Sequence, residues 1–144
     1  MTDKVDVKYR TEATATGGRE GHSRTADGKV DVQLSTPKEI GGGGGPGTNP
    51  EQLFAGGYSA CFLGALRFAA GKENVTIPDD ATVKAQVGIG PRADGTGFGI
   101  EVALTLKVPG LDRAKAEDLM KKADVVCPYS HATKGNIKKT LTVA

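Results

Sequence analysis

Apolar and polar residues alternate in two stretches of the N-terminal third, residues 5–9 and 30–34, which is the pattern of half-buried β-strands. Between them, after a glycine pair at 17–18, a further short stretch over residues 19–25 could form a strand. An Asp27-Gly28 pair between this stretch and residues 30–34 is typical of a hairpin turn. The pattern therefore predicts a three-stranded antiparallel sheet at the start of the chain.

A glycine-rich segment with an internal Pro46 spans residues 41–47. It lacks the Gly-Lys pair followed by Ser or Thr with which a phosphate-binding P-loop ends. We therefore expect a flexible linker between the sheet and the next helix, with a substrate-access loop as the remaining alternative.

A long helix is predicted from Pro50 to about Gly71, with Asn49 as a suitable N-cap and proline at the tolerated first position. Apolar residues cover nearly every face of this segment, and Arg67 is the only charged residue within 52–71. A helix that is apolar on all sides is buried on all sides, so a chain this short needs a second subunit. Three glycines would let another backbone approach the helix closely: Gly56, Gly57 and Gly64.

Alternation returns in the second half of the chain, over residues 83–89 and 98–108, with a turn around Asp94-Gly95. This pattern predicts a long hairpin with one apolar face. An amphipathic helix follows from Asp112 to about Val126, and a last strand lies near residues 137–143. The order βββ-α-ββ-α-β indicates an α+β fold.

Length, composition and charge narrow the class of protein. A chain of 144 residues suits a single domain over residues 1–144. The net charge of +2 argues against a nucleic-acid partner, since such proteins carry a basic stripe. We expect no membrane partner, because no uninterrupted apolar run approaches the roughly 18 residues of a span. The start of the chain has no hydrophobic signal segment, which favours a cytoplasmic protein with reduced thiols.

The chain has two cysteines, Cys61 in the middle of the apolar helix and Cys127 at the end of the second predicted helix. Taken alone, each is readily explained as a small buried hydrophobe. The dipole of the first helix fades within one turn, so it cannot ionise Cys61 about three turns from the helix start. If Cys61 is reactive, a cation must come from another element. A static disulfide is disfavoured in a reducing compartment, whereas a transient one is not.

Metal and hydrolase chemistry lack support in the sequence. The possible ligands are Cys61, Cys127, His22 and His131, but the chain has no Cys-x-x-Cys motif and no closely spaced pair of histidines, as zinc sites require. No Gly-x-Ser-x-Gly nucleophile elbow is present. We therefore expect neither a metal nor an organic cofactor.

Three segments together resemble the organic hydroperoxide resistance proteins of the OsmC-like superfamily, in order and spacing over essentially the whole chain. The first is the turn Gly-Arg-Glu-Gly at residues 18–21, which contains Arg19. The second, residues 47–62, reads GTNPEQLFAGGYSACF around Cys61, and the third, residues 126–136, reads VCPYSHATKGN around Cys127. The family pattern has Asn at the position of His131, a departure that leaves the reactive positions intact.

The resemblance implies a thiol-dependent peroxidase on an α+β fold. Antiparallel sheets would wrap around a buried central helix from each subunit of an intertwined homodimer. Cys61 would be the peroxidatic cysteine and Cys127 the resolving one. Arg19 would stabilise the Cys61 thiolate and Glu51 would pair with Arg19. The implied substrate is an organic (alkyl or lipid) hydroperoxide, and the implied reductant is a dihydrolipoyl-bearing protein.

Two other functions remain open from the sequence. One is a related stress protein that prefers hydrogen peroxide, and the other is a non-enzymatic ligand-binding dimer whose cysteines only pack. Phe54, Phe62, Leu63 and Phe98 are candidates for an apolar wall that would favour organic hydroperoxides.

Overall fold

A computed structural model describes residues 2–144. The chain divides into two compact units, residues 1–50 and 51–144, and each is described by itself. The first unit contains strands β1 (Ala13–Thr16), β2 (His22–Thr25) and β3 (Asp31–Gln33). Almost all of helix α1 and the remaining elements belong to the second: α1 (Pro50–Lys72), β4 (Thr82–Pro91), β5 (Phe98–Lys107), α2 (Arg113–Val126), α3 (Pro128–Thr133) and β6 (Lys139–Val143).

The first unit contains a three-stranded antiparallel sheet in the order β1-β2-β3, as predicted, but its first strand is Ala13–Thr16. Gly28, with φ of 74°, closes the predicted hairpin turn by donating its N–H to the Thr25 carbonyl. The strand predicted at residues 5–9 is wrong, because residues 2–12 form no strand and Tyr9 is 77% exposed. Alternation shows which side chains would share a face, but a strand also needs a backbone partner.

Helix α1 starts and ends within one residue of its predicted limits. In the single chain its buried side chains follow one stripe rather than covering all faces, so the predicted burial on every side, which requires a second subunit, stays a prediction. Exposed apolar residues on the same helix include Leu53 and Phe68. The buried stripe consists of Tyr58, Phe62, Ala65, Leu66, Ala69 and Ala70.

The second sheet has the order β4-β5-β6. β4 and β5 form the predicted hairpin, whose turn includes Gly95 at φ of 75°. β6 runs parallel to β5, so the expectation of purely antiparallel sheets is wrong at this edge. A parallel neighbour requires a crossover connection, and the segment containing α2 and α3 provides it.

The core of the second unit lies between α1, the inner face of β5 and helix α2. Its fully buried members include Phe62, Leu104 and Leu119. Helix α2 begins as predicted, with the Asp112 carboxylate accepting a hydrogen bond from the Lys115 backbone N–H. Glu73, just after α1, pairs with Lys115 and Lys122 of α2. These contacts fix the end of α2, where Cys127 follows, relative to α1.

Helix α1 is also, among the described residues, the one helix long and apolar enough to cross a membrane. The expectation that no segment approaches the length and apolar character of a membrane span is therefore wrong for α1. The same length and composition occur in core helices of soluble proteins, and a third of the most apolar window of α1 is buried inside the protein (33%).

Candidate active site

The two cysteines, separated by 66 positions in the sequence, meet in the second unit. The Sγ atoms of Cys61 and Cys127 lie 3.5 Å apart, with the Cys127 thiol donating to Cys61. Cys61 is half-buried, Cys127 is fully buried, and both are free thiols. A disulfide has an S–S length of about 2.05 Å, so the sulfurs need to approach by only about 1.5 Å to bond.

Cys127 occupies the junction between two helices. It ends α2, where its N–H donates to the Ala123 carbonyl, and it precedes α3, whose first residue is Pro128. Proline cannot continue α2 but suits the first position of a new helix. The chain therefore turns at Cys127, next to α1. The sequence identified Pro128 but not the short helix that it starts.

The first turn of α3 packs on α1 one turn before Cys61. The Tyr129 ring stacks on Phe54, with centroids 5.6 Å apart, and also contacts Tyr58. A Cβ atom on Gly57 would lie 2.8 Å from the Tyr129 hydroxyl oxygen. The absence of a side chain at Gly57 thus admits this ring, although glycine costs a helix about 1 kcal/mol. By contrast, a Cβ on Gly56 or Gly64 would meet nothing within 4 Å.

A buried hydrogen bond joins the same two segments. The hydroxyl oxygens of Tyr58 and Ser130 are 2.7 Å apart, and both side chains are almost fully excluded from solvent. Sequence reasoning missed this pair. The sequence offered one indication of it: Tyr58 lies three residues before Cys61, so the two side chains share a face of the helix.

The surroundings of Cys61 in the second unit disfavour its charged form. Burial raises the pKa of the Cys61 thiol, and the neighbouring Cys127 acts in the same direction, whereas a hydrogen bond with the Tyr129 backbone lowers the pKa. The direction matches the expectation for a thiol removed from water. An active Cys61 thiolate would therefore need stabilisation by a positive charge.

Arg19 lies in the first unit, in a 3-10 turn at Gly18–Glu20 that separates β1 from β2. Gly21, which ends the turn, cannot carry a side chain, because a Cβ there would lie 1.7 Å from the Thr16 carbonyl oxygen. The Thr36 N–H donates to the Glu20 carboxylate at 2.5 Å, and the Thr36 hydroxyl donates to the Arg19 carbonyl at 3.4 Å. The turn carrying Arg19 is therefore tied to the chain beyond β3.

Glu51 lies in the first turn of α1, ten positions before Cys61 on the same continuous helix. That separation corresponds to about 15 Å along the axis and about 80° around it. The helix dipole is positive at the N-terminus of α1, so it interacts favourably with a negatively charged side chain in the first turn.

The predicted apolar wall residues have different environments. Phe62 is fully buried in the core, and Phe98 is 66% exposed at the start of β5. Leu63 and Phe54 are half-buried against the core, and Phe54 contacts Tyr129 close to the thiols. Over residues 2–144, no cluster of three or more His, Cys, Asp or Glu side chains suits a metal ion.

Comparison with known proteins identifies the family. Residues 41–142 match the model of the family described as OsmC-like protein. The organic hydroperoxide resistance protein of Xanthomonas axonopodis pv. citri is 51% identical over 144 residues, which is the full length of both chains. The fold also matches the crystal structure of OhrB, an organic hydroperoxide resistance protein of Bacillus subtilis. The TM-score is 0.86 and the identity 40%, over 94% of this chain and 98% of that one.

The crystal structure of an organic hydroperoxide resistance protein OsmC from Legionella pneumophila has a TM-score of 0.90 and 42% identity. The match covers 96% of this chain and 99% of that one. The chain therefore belongs to the OsmC-like family, and within it to the organic hydroperoxide resistance proteins.

Proposed function

We propose that this protein defends the cell against oxidative stress as a thiol-dependent peroxidase that reduces organic hydroperoxides to alcohols. The observation that carries the proposal is the pair of free thiols with Sγ atoms 3.5 Å apart. Membership of a group named for organic hydroperoxide resistance supports the choice of substrate. The whole of residues 1–144 acts as one peroxidase domain.

Cys61 is the nucleophile, because it is the more exposed of the two thiols. Its thiolate attacks the distal oxygen of the hydroperoxide. The O–O bond breaks, the alkoxide leaves and takes up a proton, and Cys61 becomes a sulfenic acid. Cys127 then attacks that sulfur, which forms the Cys61–Cys127 disulfide and releases water.

Arg19 supplies the positive charge that the Cys61 thiolate needs, and Glu51 orients the Arg19 guanidinium. The family resemblance supports both roles. A guanidinium is always charged and has several fixed N–H donors, so it can stabilise the thiolate and the developing alkoxide together. A carboxylate partner offsets the cost of removing such a cation from water.

The active form is a homodimer in which each α1 helix packs against the partner subunit. The exposed apolar residues of α1, such as Leu53 and Phe68, support this arrangement, because burying them would stabilise the pair. The open space beside Gly56 and Gly64 is consistent with close helix contact.

A dihydrolipoyl-bearing protein in the cytoplasm reduces the disulfide and completes the cycle. A dithiol of that type is a fitting reductant because it can attack the disulfide and then close its own ring without a third thiol. The aromatic cluster around Phe54 and Tyr129 favours organic chains over hydrogen peroxide.

Stoichiometric oxidation tests the proposal. Reduced protein is mixed with one equivalent of cumene hydroperoxide, and free thiols are titrated over time. A two-cysteine peroxidase loses both thiols rapidly and yields one equivalent of alcohol. Retention of both thiols would instead support a binding protein, and faster loss with hydrogen peroxide would contradict the preference for organic substrates.

Replacing the proposed resolving cysteine tests the second step. In Cys127→Ser, we expect one rapid oxidation of Cys61 but no disulfide, so turnover with a dihydrolipoyl donor fails and Cys61 proceeds to sulfinic acid. Mass spectrometry of the oxidised protein measures the products. Normal turnover by Cys127→Ser would contradict its assignment as an obligatory resolving residue.

Replacing Arg19 tests the electrostatic role. In Arg19→Ala, we expect the pKa of Cys61 to rise further, because the burial that already raises it is no longer opposed by a cation. The pH profile of peroxide reduction should then move to higher pH. At a pH below the pKa of Cys61, the rate should fall about tenfold for a rise of about one pH unit in that pKa. Arg19→Lys should keep only part of the wild-type activity, since a single ammonium group cannot replace the several fixed N–H donors of a guanidinium. A thiolate titration that Arg19→Ala leaves unchanged would contradict this role.

A further inference from the structure

The hydrogen bond between Tyr58 and Ser130 lies at the centre of the contact between the two cysteine segments. The hydroxyl oxygens are 2.7 Å apart, and the side chains are 0% and 1% exposed. Tyr58 precedes Cys61 by three residues on α1, and Ser130 follows Cys127 by three residues in α3. The two hydroxyls therefore join the same pair of elements as the two thiols.

Packing alone does not require this pair. An apolar pair of similar shape would fill the same space at a similar free energy of unfolding, because hydroxyls gain little net stability from exchanging water for each other. The polar pair differs from such an apolar pair because a hydrogen bond is directional. It therefore holds α1 and α3 in one relative position.

That relative position is the one that disulfide formation requires. Cys127 is fully buried, and its Sγ lies 3.5 Å from that of Cys61. The sulfurs need to move together by only about 1.5 Å to bond. Sliding α3 along α1 by a similar distance, away from Cys61, would lengthen the gap that the sulfurs must close. The Tyr129 ring over Gly57 adds a second contact, but an aromatic ring packed on a helix is less directional than a hydrogen bond.

We propose that Tyr58 and Ser130 are positioning residues that hold Cys127 within bonding distance of Cys61, so that the disulfide closes before Cys61 is oxidised further. The step that they promote is attack of the Cys127 sulfur on the Cys61 sulfenic acid. The S–S bond forms, the S–OH bond breaks, and the thiol proton leaves with the hydroxyl group as water. The kinetic part rests on the proposed peroxidase function, whereas the effect on disulfide equilibrium does not.

The test is the double variant Tyr58→Phe/Ser130→Ala, which removes both hydroxyls and leaves no buried hydroxyl without its partner. The first measurement equilibrates the protein in dithiothreitol redox buffers and needs no peroxide. We expect the disulfide to become about tenfold less favoured, because the reduced segments are no longer held in the position that bond closure requires. The reduction potential of the pair would then become about 30 mV more positive, since a tenfold change in a two-electron equilibrium is about 30 mV.

The second measurement separates the two chemical steps by rapid mixing with one equivalent of cumene hydroperoxide. We expect disulfide formation to slow by about tenfold, in line with the lost hydrogen bond, while formation of the sulfenic acid changes less. Mass spectrometry should show a larger overoxidised fraction of Cys61. A merely structural role would slow both steps alike or neither.

Ser59→Ala is the matched control. Ser59 is adjacent to Tyr58 on α1, but its hydroxyl donates to the Gly56 carbonyl within the same helix, so its loss should leave the potential unchanged. If the double variant fails to fold, Ser130→Ala alone is measured; it leaves the buried Tyr58 hydroxyl without this partner, but it should change the potential in the same direction.

An unchanged potential and an unchanged rate of disulfide formation in a folded variant would overturn the inference. A more stable disulfide would also overturn it, because the hydrogen bond would then be keeping the sulfurs apart. A more positive potential in a protein that does not consume hydroperoxide would support the positioning role and refute the peroxidase function. The two proposals can therefore fail separately.

Discussion

Cys61→Ser is expected to reduce hydroperoxide consumption to the rate seen without protein. A serine hydroxyl is almost entirely protonated at neutral pH and is a weak nucleophile without an adjacent base. Burial, which raises the pKa of the Cys61 thiol, would disfavour a serine alkoxide in the same way. Peroxide consumption with a dihydrolipoyl donor measures the effect.

The control for this variant is Cys127→Ser, which also removes one thiol but should still consume one equivalent of peroxide rapidly, and a second one as Cys61 proceeds to sulfinic acid. Both variants keep a small polar group at the substituted position, so their difference reports chemistry rather than packing. Persistent turnover by Cys61→Ser would mean that the fully buried Cys127 is the nucleophile. The assignment of roles would then have to be reversed.

The elements of the fold could be predicted where local pattern decides the structure. Helix α1 begins at Pro50 as expected, because Asn-Pro at residues 49–50 is a strong start signal and the apolar run that follows is long. The β4–β5 hairpin is equally clear, since its alternation and its Asp94-Gly95 turn agree. Asp112 caps α2 as predicted.

The errors fall where structure depends on a distant partner. Residues 5–9 have the alternation of a strand but no strand forms there, because side-chain pattern does not supply a hydrogen-bonding neighbour. The parallel direction of β6 could not be predicted for a similar reason, since alternation carries no information on strand direction.

The residues of the candidate site could be predicted only in part from the sequence. The residues alone left Cys61 and Cys127 as either core or reactive groups, and the structure brings their sulfurs to 3.5 Å. The Tyr58–Ser130 contact spans 72 positions, which no local pattern reports. The roles of Arg19 and Glu51 come from family resemblance and stay predictions.

The position of Glu51 leads to a test of how the proposed dimer builds its sites. Glu51 and Cys61 lie on one continuous helix, about 15 Å apart along its axis. A glutamate side chain spans only a few ångströms, and an Arg19 bridge would have to cover most of the remainder. The simplest geometry therefore takes Glu51 of one subunit and Cys61 of the other, which a two-fold axis would repeat as two identical sites.

Mixing two inactive variants distinguishes sharing from separate sites. We expect Cys61→Ser and Glu51→Ala to be inactive alone, the second because Arg19 loses its orienting carboxylate. In a mixed dimer with shared sites, the remaining cysteine meets the remaining glutamate at one site. Equal amounts after free exchange should recover about a quarter of wild-type activity, since half of the dimers are mixed and each has one complete site of two.

Exchange itself is checked by labelling the two variants with different tags and isolating the mixed dimer. Wild-type protein mixed with Cys61→Ser is the control and should keep half of its sites whether or not sites are shared. If the isolated mixed dimer of the two variants has no activity, each subunit uses its own Glu51, and the shared-site arrangement is refuted. Full activity of Glu51→Ala on its own would instead remove Glu51 from the site, because Arg19 would then need no carboxylate to serve Cys61.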